Sequence, residues 1–489
     1  MSADTILVID AGTTSLRAVA VTSAGLVNPL AVEPWPLFVP EDAAPFGREF
    51  DITELQAAVR RLLAAAMAAG TPAAAIAVTG QREGVVFTDA EDNIVFAAPN
   101  IDARASAEGM AIDARRGDEV YRVTGHLPAL ILAPAKLAWL RANRAAAAAR
   151  VAHVLPLADW LAFFLTGEQA MTRTLAAENG LLDVSSGAVP AGLLDACGLA
   201  AEMLCPPVPE GTIVGHASCV APGNIPAVLA GADTQAALVG MGAVSPGDVG
   251  VPAGWSAPLQ MVTERPVFDS AQRTWTSVHA VAGRWILESN AGETGRCWQW
   301  LLSMLALEPT ESETLAEASP PGARDVLAVF GAAAMDAARL NAGLGALTFP
   351  LPLVMLAPER GDLLRSALES IAFALRANLE QLEAVYGSAA TSFSLGGGMS
   401  RSPLFARIVA DVLDRPVAVA RDPQTSALGA AALAAVAIGQ HGTLEDAVTG
   451  MELRGLPLEP EPPAAATYED AYRRWRALAE EMPRLAELG

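Results

Sequence analysis

The amino-acid sequence predicts an α/β protein made of two layered domains. The chain has 489 residues, of which 52% are hydrophobic, and this length exceeds what a single hydrophobic core usually supports. Short apolar segments typical of strands alternate with amphipathic helical segments, and they do so in both halves of the chain. We therefore place a domain boundary near Val244 and expect a ligand cleft between the two domains.

The chain begins with a strand, a polar turn and a second strand. The apolar segment Thr5–Ile9 precedes the small and polar residues Asp10–Ser15, and Leu16–Val21 is apolar again. Nucleotide sites of the P-loop and Rossmann kinds instead place a glycine-rich loop between a strand and a helix. Neither of their glycine motifs occurs in the sequence, so those two classes are disfavoured.

A helix and a short strand follow the opening hairpin. Asp51 is a good N-cap for the helix, and Gly70 can end it. The strand Ala75–Thr79 then brings the charged turn Gly80–Gly84 to its carboxyl end. Ligands of α/β sheets collect at that edge, so this turn is a candidate binding segment.

The middle of the chain is predicted to be mainly helical between residues 124 and 184, with the clearest helices at Leu137–Arg150 and Leu157–Leu165. A proline-rich loop follows. The strand pattern resumes at Pro226–Ala230 and has Gly231–Gln235 at its end.

The second half of the chain again alternates predicted strands, turns and helices. Gly247–Ser256 is a glycine-rich turn between extended segments, Thr274–Leu287 indicates two strands, and Asp362–Tyr386 is a long amphipathic helix that ends at Gly387. The remaining predicted elements are the strand Ser392–Leu395, the turn Gly396–Ser400, the helix Pro403–Leu413, the strand Val417–Ala420 and the helix Ser426–Ile438.

Charge and cysteine content narrow the classes of partner. A formal net charge of −22 disfavours nucleic acid and anionic membrane surfaces, because both would repel an acidic protein. The cysteines at positions 197, 205, 219 and 297 have no CxxC spacing, which fits reduced thiols. No signal peptide is visible, and apolar stretches such as Ala427–Gly439 are too short to span a bilayer. We expect a cytoplasmic protein; a homodimer stays open.

The polar turn after the first strand has the residue types that phosphoryl transfer needs. Glycine lets backbone N–H groups approach a phosphate, hydroxyls donate hydrogen bonds, and Asp10 can hold hydrated magnesium. An ordinary hairpin is the alternative, but six consecutive small or polar residues are more than a two-residue hairpin needs. The candidate phosphate-binding residues of this turn are Gly12, Thr13, Thr14, Ser15 and Arg17.

Other candidate residues lie in three short segments. Gly396–Gly398 could let a nucleotide lie against the backbone, or could be a flexible turn. Asp233 follows a predicted strand and could accept the proton of an attacking hydroxyl, although an aspartate there is more often a turn former or helix cap. Charged and amide side chains that suit a hydroxyl-rich ligand, or a surface salt bridge, are Gln81, Arg82, Glu83 and Asp102.

At these residues the sequence resembles the FGGY carbohydrate kinases. Their opening motif is similar to Asp10–Arg17, their base-bearing segment to Ala230–Ala237, and their C-terminal signature to Leu395–Ser402. The resemblance covers nearly the whole chain. It implies two actin-like, ribonuclease H-like domains, with sugar bound by residues 1–244 and nucleotide by residues 245–489. It also implies an ATP-dependent sugar kinase that uses Mg²⁺.

The resemblance also implies a role for each site residue. Asp233 becomes the general base, and Asp10 and Asp233 become magnesium ligands. The implied sugar ligands are Gln81, Arg82, Glu83, Asp102 and Asp233. The implied nucleotide contacts are Asp10, Gly12, Thr13, Thr14, Ser15, Arg17, Gly254, Ser256, Gly295, Gly396, Gly397, Gly398 and Met399.

Local resemblances point to different acceptors. Arg82–Val86, Asn100–Ser106 and Ala158–Ala162 look most like the autoinducer-2 kinase branch, Arg82 with Glu83 is also similar to the polyol contact of glycerol kinases, and the second half is closer to xylulokinases. We expect a small open-chain sugar or polyol, with a pentulose first and the linear dihydroxypentanedione of autoinducer-2 or a polyol as alternatives.

The sequence departs from the family pattern at several positions. Trp255 replaces a hydroxyl residue in the second phosphate turn, Asn100 stands where an aromatic residue is common, and Arg401 replaces a usual Asn or Lys. The stretch between Gly322 and Glu359 is shorter than the family norm. These departures leave a rival hypothesis, a sugar-binding regulator with weakened transfer. A chaperone-like ATPase is disfavoured, because the residues that suit a sugar ligand would then have no function.

Overall fold

The computed structural model describes residues 4–70, 73–217, 225–339 and 344–486. The chain divides into two structural units. The first contains the chain up to Val244 together with Val262–Ile286 and Gln424–Leu453. The second contains Ser245–Met261, Leu287–Pro423 and the chain from Arg454. The chain thus first leaves the first unit at Val244 and later returns to it, while the assignment of sugar and nucleotide to the two halves stays a prediction.

The strands are numbered in chain order. Those of the first half are Thr5–Ala11 (β1), Ser15–Thr22 (β2), Val27–Pro34 (β3), Leu37–Phe38 (β4), Glu49–Phe50 (β5), Ala75–Gly80 (β6), Val85–Thr88 (β7), Ile94–Ala98 (β8), His153–Pro156 (β9), Met171–Thr172 (β10), Pro207–Val208 (β11), Thr212–Ala217 (β12) and Ile225–Ala232 (β13). Those of the second half are Asp248–Pro252 (β14), Pro258–Thr263 (β15), Trp275–Val278 (β16), Trp285–Asn290 (β17), Leu327–Val329 (β18), Ala346–Thr348 (β19), Ser392–Gly396 (β20), Val417–Val419 (β21) and Leu456–Leu458 (β22).

The α-helices are numbered in the same way. They are Ile52–Ala68 (α1), Ser106–Thr124 (α2), Ala133–Asn143 (α3), Ala145–Ala148 (α4), Leu157–Thr166 (α5), Arg173–Glu178 (α6), Ala191–Ala196 (α7), Asp233–Gly240 (α8), Thr294–Leu305 (α9), Pro309–Ala318 (α10), Leu353–Leu356 (α11), Arg360–Tyr386 (α12), Pro403–Leu413 (α13), Thr425–Ala437 (α14), Leu444–Gly450 (α15) and Pro462–Ala486 (α16). Among the residues that the structure describes, no helix is long and apolar enough to cross a membrane.

The main sheet of the first unit has the strand order β12-β13-β6-β1-β2-β3. Strands β1, β6 and β13 run parallel to one another, and β1 forms an antiparallel hairpin with β2. Their buried side chains form the core that supports these strands. Because parallel strands share one carboxyl edge, the residues that follow β1, β6 and β13 meet there.

A related arrangement occurs in the second unit. Its strand β14 pairs antiparallel with β15 and parallel with β20, and β20 pairs parallel with β21. Each unit thus contains a central strand with an antiparallel neighbour on one side and parallel neighbours on the other. The alternation of strands and helices expected from the sequence is confirmed.

The predicted elements agree with the structure in most places and differ in several. The segment Gly247–Ser256, predicted as a turn, contains the strand β14. The helix after Asp51 forms, and the Asp51 carboxylate accepts from Thr53 N and Glu54 N as an N-cap. The prediction of a mainly helical segment at 124–184 is incomplete, because β9 and β10 lie within it. Asp10 belongs to β1 and not to the turn. Of the four cysteines, those at positions 197, 205 and 297 are free thiols, and the one at position 219 lies outside the described residues.

Helix α8, which begins at Asp233, is held closely against α14. A Cβ atom added at Gly429 would lie 1.7 Å from the Ala236 carbonyl oxygen, so only glycine lets the two backbones approach this closely. We expect Gly429→Ala to lower the free energy of unfolding by about 1–3 kcal/mol, the usual effect of overpacking. Thermal unfolding measures this. Gly192→Ala is the matched control, because a Cβ there meets nothing within 4 Å; equal midpoints for both variants would contradict the prediction.

Candidate active site

The carboxyl edge of the first sheet brings three predicted site segments together. Asp10 lies near the end of β1, the turn that contains Arg82 follows β6, and Asp233 follows β13 directly. The register places Asp10 opposite Thr79, and Thr79 opposite Gly231. The Thr79 hydroxyl donates to the Gly231 carbonyl at 2.9 Å, which ties β6 to β13.

The opening hairpin contains a carboxylate, a guanidinium group and an anchored turn. Asp10 and Arg17 are direct partners across the hairpin, and Arg17 Nη2 lies 3.3 Å from Asp10 Oδ2. The other carboxylate oxygen, Oδ1, is buried and has no hydrogen-bond partner. The Gly12 carbonyl accepts from Trp35 Nε1 at 2.7 Å and from Gln81 Nε2 at 3.2 Å. The turn is thus anchored from outside, and one oxygen of Asp10 remains available.

The hydroxyl residues of the turn differ in exposure. Thr14 is exposed, whereas Thr13 and Ser15 are partly buried. The Thr13 hydroxyl accepts from Asn100 Nδ2 at 3.0 Å, and Gln81 Oε1 accepts from Asn100 N at 2.7 Å. Asn100, where the resemblance leads one to expect an aromatic ring, therefore links the phosphate turn to the predicted sugar segment.

Asp233 is the first residue of α8 and is partly buried. Burial raises the pKa of Asp233, the nearby Asp10 raises it further, and Arg82 and Arg17 partly oppose them; the resulting pKa is about 6. Burial likewise raises the pKa of Asp10, against the opposing charge of Arg17. The two aspartates thus form a pair of interacting carboxylates, of which Asp10 is the more buried.

This pair fits a hydrated magnesium ion. Magnesium is usually held by one or two carboxylates together with water and substrate phosphates, and the partnerless Asp10 Oδ1 is an oxygen ligand of the preferred kind. Among the described residues, no group of three or more His, Cys, Asp or Glu side chains could hold a metal ion without such additional ligands.

Arg82 and Glu83 are buried and held by side chains that the sequence did not single out. Arg82 Nη1 lies 3.2 Å from Glu178 Oε2, and its guanidinium lies 5.6 Å from the centre of the Trp275 ring. Glu83 has a backbone φ of 55°, which is unusual for a residue other than glycine. Its carbonyl accepts from the buried Lys136 Nζ. Burial raises the pKa of the Glu83 carboxyl to about 7, against the opposing charge of Arg82.

Asp102 lies within an ionic network. Its side chain is fully buried. The carboxylate accepts from Arg104 Nε at 2.8 Å and from Arg48 N at 2.8 Å, and Arg104 also pairs with Glu49. These bonds fix the loop that contains Asp102, while its role as a direct sugar ligand stays a prediction.

In the second unit, three predicted nucleotide turns meet. Ala253 N donates to the Gly396 carbonyl at 2.9 Å, and Met399 N donates to the Ala253 carbonyl at 3.0 Å. Gly295 N donates to the Gly254 carbonyl at 3.1 Å. The turns after β14 and β20 and the start of α9 therefore form one backbone cluster.

The glycines of this cluster have two different roles. A Cβ at Gly295 would lie 2.2 Å from the Gly254 carbonyl oxygen, and a Cβ at Gly397, whose φ is +79°, would lie 2.5 Å from the Ala253 carbonyl oxygen. These two glycines let the turns touch one another. A Cβ at Gly398 would meet nothing within 4 Å, so the missing side chain leaves open space there.

The side chains of the cluster are mostly accessible. Trp255 is 40% exposed, and Ser256 accepts from Gly254 N through its carbonyl at 2.9 Å. Met399 is partly buried. The Trp255 side chain is thus exposed, while the backbone of its turn forms hydrogen bonds with the start of α9.

Sequence reasoning missed Glu178, which contacts Arg82. It also missed the three side chains that contact Glu178, which are His126, Gln235 and Ser277. Glu178 ends the short helix α6 after three apolar residues. An isolated acid in such a segment was the one available signal, and it does not reveal which distant residues the acid contacts.

Comparison with known proteins agrees with these features. Residues 5–240 match the N-terminal domain of the FGGY family of carbohydrate kinases, and residues 253–438 match its C-terminal domain. The chain is 30% identical to autoinducer-2 kinase of Salmonella paratyphi B, over 99% of this chain and 96% of that protein.

Solved structures of other sugar kinases have a similar fold. The xylulose kinase from Rhodospirillum rubrum superposes with a TM-score of 0.81 at 26% identity, over 99% of this chain and 100% of that one. The gluconate kinase from Lactobacillus acidophilus has a TM-score of 0.85 at 18% identity, over 98% and 100%, and that likeness shows the fold alone. The predicted α/β, actin-like fold class is confirmed. The chain therefore belongs to the FGGY family of carbohydrate kinases and is an ATP-dependent sugar phosphotransferase.

Proposed function

We propose that the enzyme transfers the γ-phosphate of ATP to a hydroxyl of a small open-chain five-carbon sugar or sugar-derived ketone, with Asp233 as the general base. The observation that carries this proposal is the position of the Asp233 carboxylate, whose pKa is raised to about 6 by partial removal from water and by the nearby Asp10. It lies at the same sheet edge as Asp10 and the turn that contains Arg82. A base with a pKa near the working pH is well suited to accept a proton.

The reaction is a single in-line displacement. As the acceptor oxygen bonds to the γ-phosphorus, the bond between that phosphorus and the β–γ bridging oxygen breaks and ADP leaves. Asp233 takes the proton of the acceptor hydroxyl. Arg82 and Glu83 orient the hydroxyls of the sugar, and Arg17 with the N–H groups of the opening turn stabilises phosphate charge. Asp10, whose buried Oδ1 has no hydrogen-bond partner, would hold magnesium, which would neutralise charge on the transferred group and leave Asp233 free to accept the proton.

The nucleotide is assigned mainly to the second unit. The open space at Gly398 and the exposed backbone of the turn at Gly254 support this assignment, because a flat ligand can approach a backbone that has no side chains. An enzyme that consumes ATP acts where ATP is abundant, and we infer a cytoplasmic location.

Two acceptors of the same size fit the proposal. A pentulose such as xylulose is favoured by the similarity to the xylulose kinase, and the linear dihydroxypentanedione of autoinducer-2 by the full-length similarity to the autoinducer-2 kinase. A coupled assay of ADP release with Mg-ATP, screened over xylulose, ribulose, this dione, glycerol and erythritol, tests the proposal. Strong stimulation by one five-carbon compound is the expected result; stimulation by glycerol or erythritol alone, or by none, would contradict it.

Enzyme activity is expected to fall at acidic pH. The base must be ionised to accept a proton, so kcat/KM should decrease about tenfold for each pH unit below about 6 and should be level above it. A pH–rate profile at subsaturating sugar and saturating Mg-ATP, between pH 4.5 and pH 8.5, measures this. A profile that stays level down to pH 4.5 would exclude Asp233 as a base with this pKa.

A further inference from the structure

Glu178 is a fully buried acid that contacts Arg82 of the predicted sugar site. Its carboxylate contacts Arg82 Nη1 at 3.2 Å and His126 Nε2 at 3.3 Å, and it accepts from the Ser277 hydroxyl at 2.7 Å. It also accepts from the side-chain amide of Gln235. Four side chains from separate parts of the chain thus converge on one carboxylate.

Glu178 remains ionised in this enclosed position. Burial alone would raise its pKa, but the charges of Arg82 and His126 and the Ser277 hydroxyl outweigh burial and hold the pKa well below its usual range. The same carboxylate raises the pKa of His126 against the effect of burial. The positive charge of Arg82 is therefore matched inside the protein before any ligand binds.

Two other arginines near the site are also paired with acids. Arg17 pairs with Asp10, and Arg104 pairs with Asp102 and Glu49. A carboxylate or phosphate group on a sugar would therefore meet cations that already have anionic partners. It would also lie near Asp233, which is ionised at neutral pH. Such a ligand is disfavoured by repulsion and desolvation, whereas hydroxyls can accept from arginine and donate to carboxylates without a net charge.

Helix α6 also connects Glu178 to the catalytic strand end. The Thr174 hydroxyl on this helix accepts from Ala232 N at 3.0 Å, directly before Asp233. Gln235, which donates to Glu178, lies two residues after Asp233 on α8. The acid therefore has a fixed place relative to both the sugar arginine and the base.

We propose that Glu178 is a specificity-determining residue that restricts the acceptor to uncharged open-chain sugars and polyols and excludes aldonates and other sugars that bear a carboxylate or phosphate. This inference rests on the proposed function, because it assigns the sugar to the Arg82 site. Its basis is the set of contacts that match the charge of Arg82 within the protein.

Binding measured by calorimetry at pH 7.5 without ATP tests the inference separately from catalysis. The probes are matched pairs that differ only in a terminal CH₂OH or carboxylate: xylitol with xylonate, ribitol with ribonate, and glycerol with glycerate. In the wild-type enzyme we expect the neutral member of the best-bound pair to bind at least about tenfold more tightly. Glu178→Gln should reduce that ratio by about tenfold or more, since it removes the nearer of the two acids that pair with Arg82.

Two further variants serve as controls. Glu178→Asp keeps the charge and should keep the preference for the neutral member. Asp159→Asn alters a buried acid whose pKa burial raises to about 8, so it removes little charge at pH 7.5 and should also keep the preference. If packing alone determined the ratio of the affinities for the neutral and anionic members, both controls would reduce that ratio as Glu178→Gln does. That result would overturn the inference.

The remaining outcomes are equally decisive. If the wild-type enzyme binds an anion as tightly as its neutral partner, the inference is overturned, even if Glu178→Gln does not fold. An unchanged ratio in folded Glu178→Gln overturns it as well. Failure to bind either member of every pair, together with no sugar-stimulated ADP release, would instead overturn the proposed function and with it the inference.

Discussion

Asp233→Asn is expected to lower kcat by at least about a hundredfold, the scale typical of a lost general base. Asparagine has nearly the shape of aspartate but cannot accept the proton of the acceptor hydroxyl. The variant should still bind sugar, because Arg82, Glu83 and their partners are unchanged. Steady-state kinetics with the best acceptor, together with calorimetric sugar binding, separates the two effects.

The same variant should be at least as stable as the wild-type protein at pH 8. The pKa of Asp233 is raised to about 6 in the folded protein, so above pH 6 the folded state holds an ionised carboxylate that burial disfavours. Asparagine removes that destabilising charge, as often occurs when a catalytic group is replaced. Asp195→Asn, at an exposed site on α7, is the matched control and should change neither kcat nor stability. Wild-type turnover in Asp233→Asn would exclude the assigned base.

Arg82→Met is expected to raise the KM for the sugar by about a hundredfold and to destabilise the fold. The loss of affinity follows from the removal of charged hydrogen bonds to the acceptor. The destabilisation follows because Glu178 would remain buried without its arginine, which typically costs about 3–5 kcal/mol. Initial rates at varied sugar concentration and chemical denaturation measure the two effects.

A double variant separates the binding role of Arg82 from its structural role. Arg82→Met combined with Glu178→Gln removes both charges of the buried pair and should recover much of the lost stability. It should not recover the low KM, because the sugar still lacks its arginine. Recovery of the wild-type KM would mean that Arg82 acts only through the fold.

The features that could be predicted from the sequence are those that depend on residues close together along the chain. The hairpin around Gly12 follows from a polar turn between two apolar segments, and the N-cap at Asp51 follows from its own hydrogen bonds to Thr53 and Glu54. Asp233 was expected at the end of a strand, and it follows β13 directly. Each of these features depends on fewer than about twenty consecutive residues, roughly the length over which periodicity and capping act.

The features that the sequence did not reveal depend on distant residues. Glu178 contacts Arg82, which is 96 positions away, and Ser277, which is 99 positions away. Gly295 and Gly397 each lie against another turn of the chain, while their contact with a nucleotide stays a prediction. A glycine allows close approach of any backbone or ligand, so its presence does not identify which of them comes close.

The path of the chain between the two units has a consequence for biosynthesis. The first unit includes Gln424–Leu453. Helix α14 lies in that segment and packs against α8, which begins at Asp233. A ribosome has therefore translated most of the message before the catalytic base can reach its final surroundings. Until then, the apolar surface of α8 that α14 later buries stays open to solvent or to chaperones. Slow or interrupted translation near residue 424 should accordingly yield aggregation-prone nascent chains, and synthesis of residues 1–244 alone should not give a stable product.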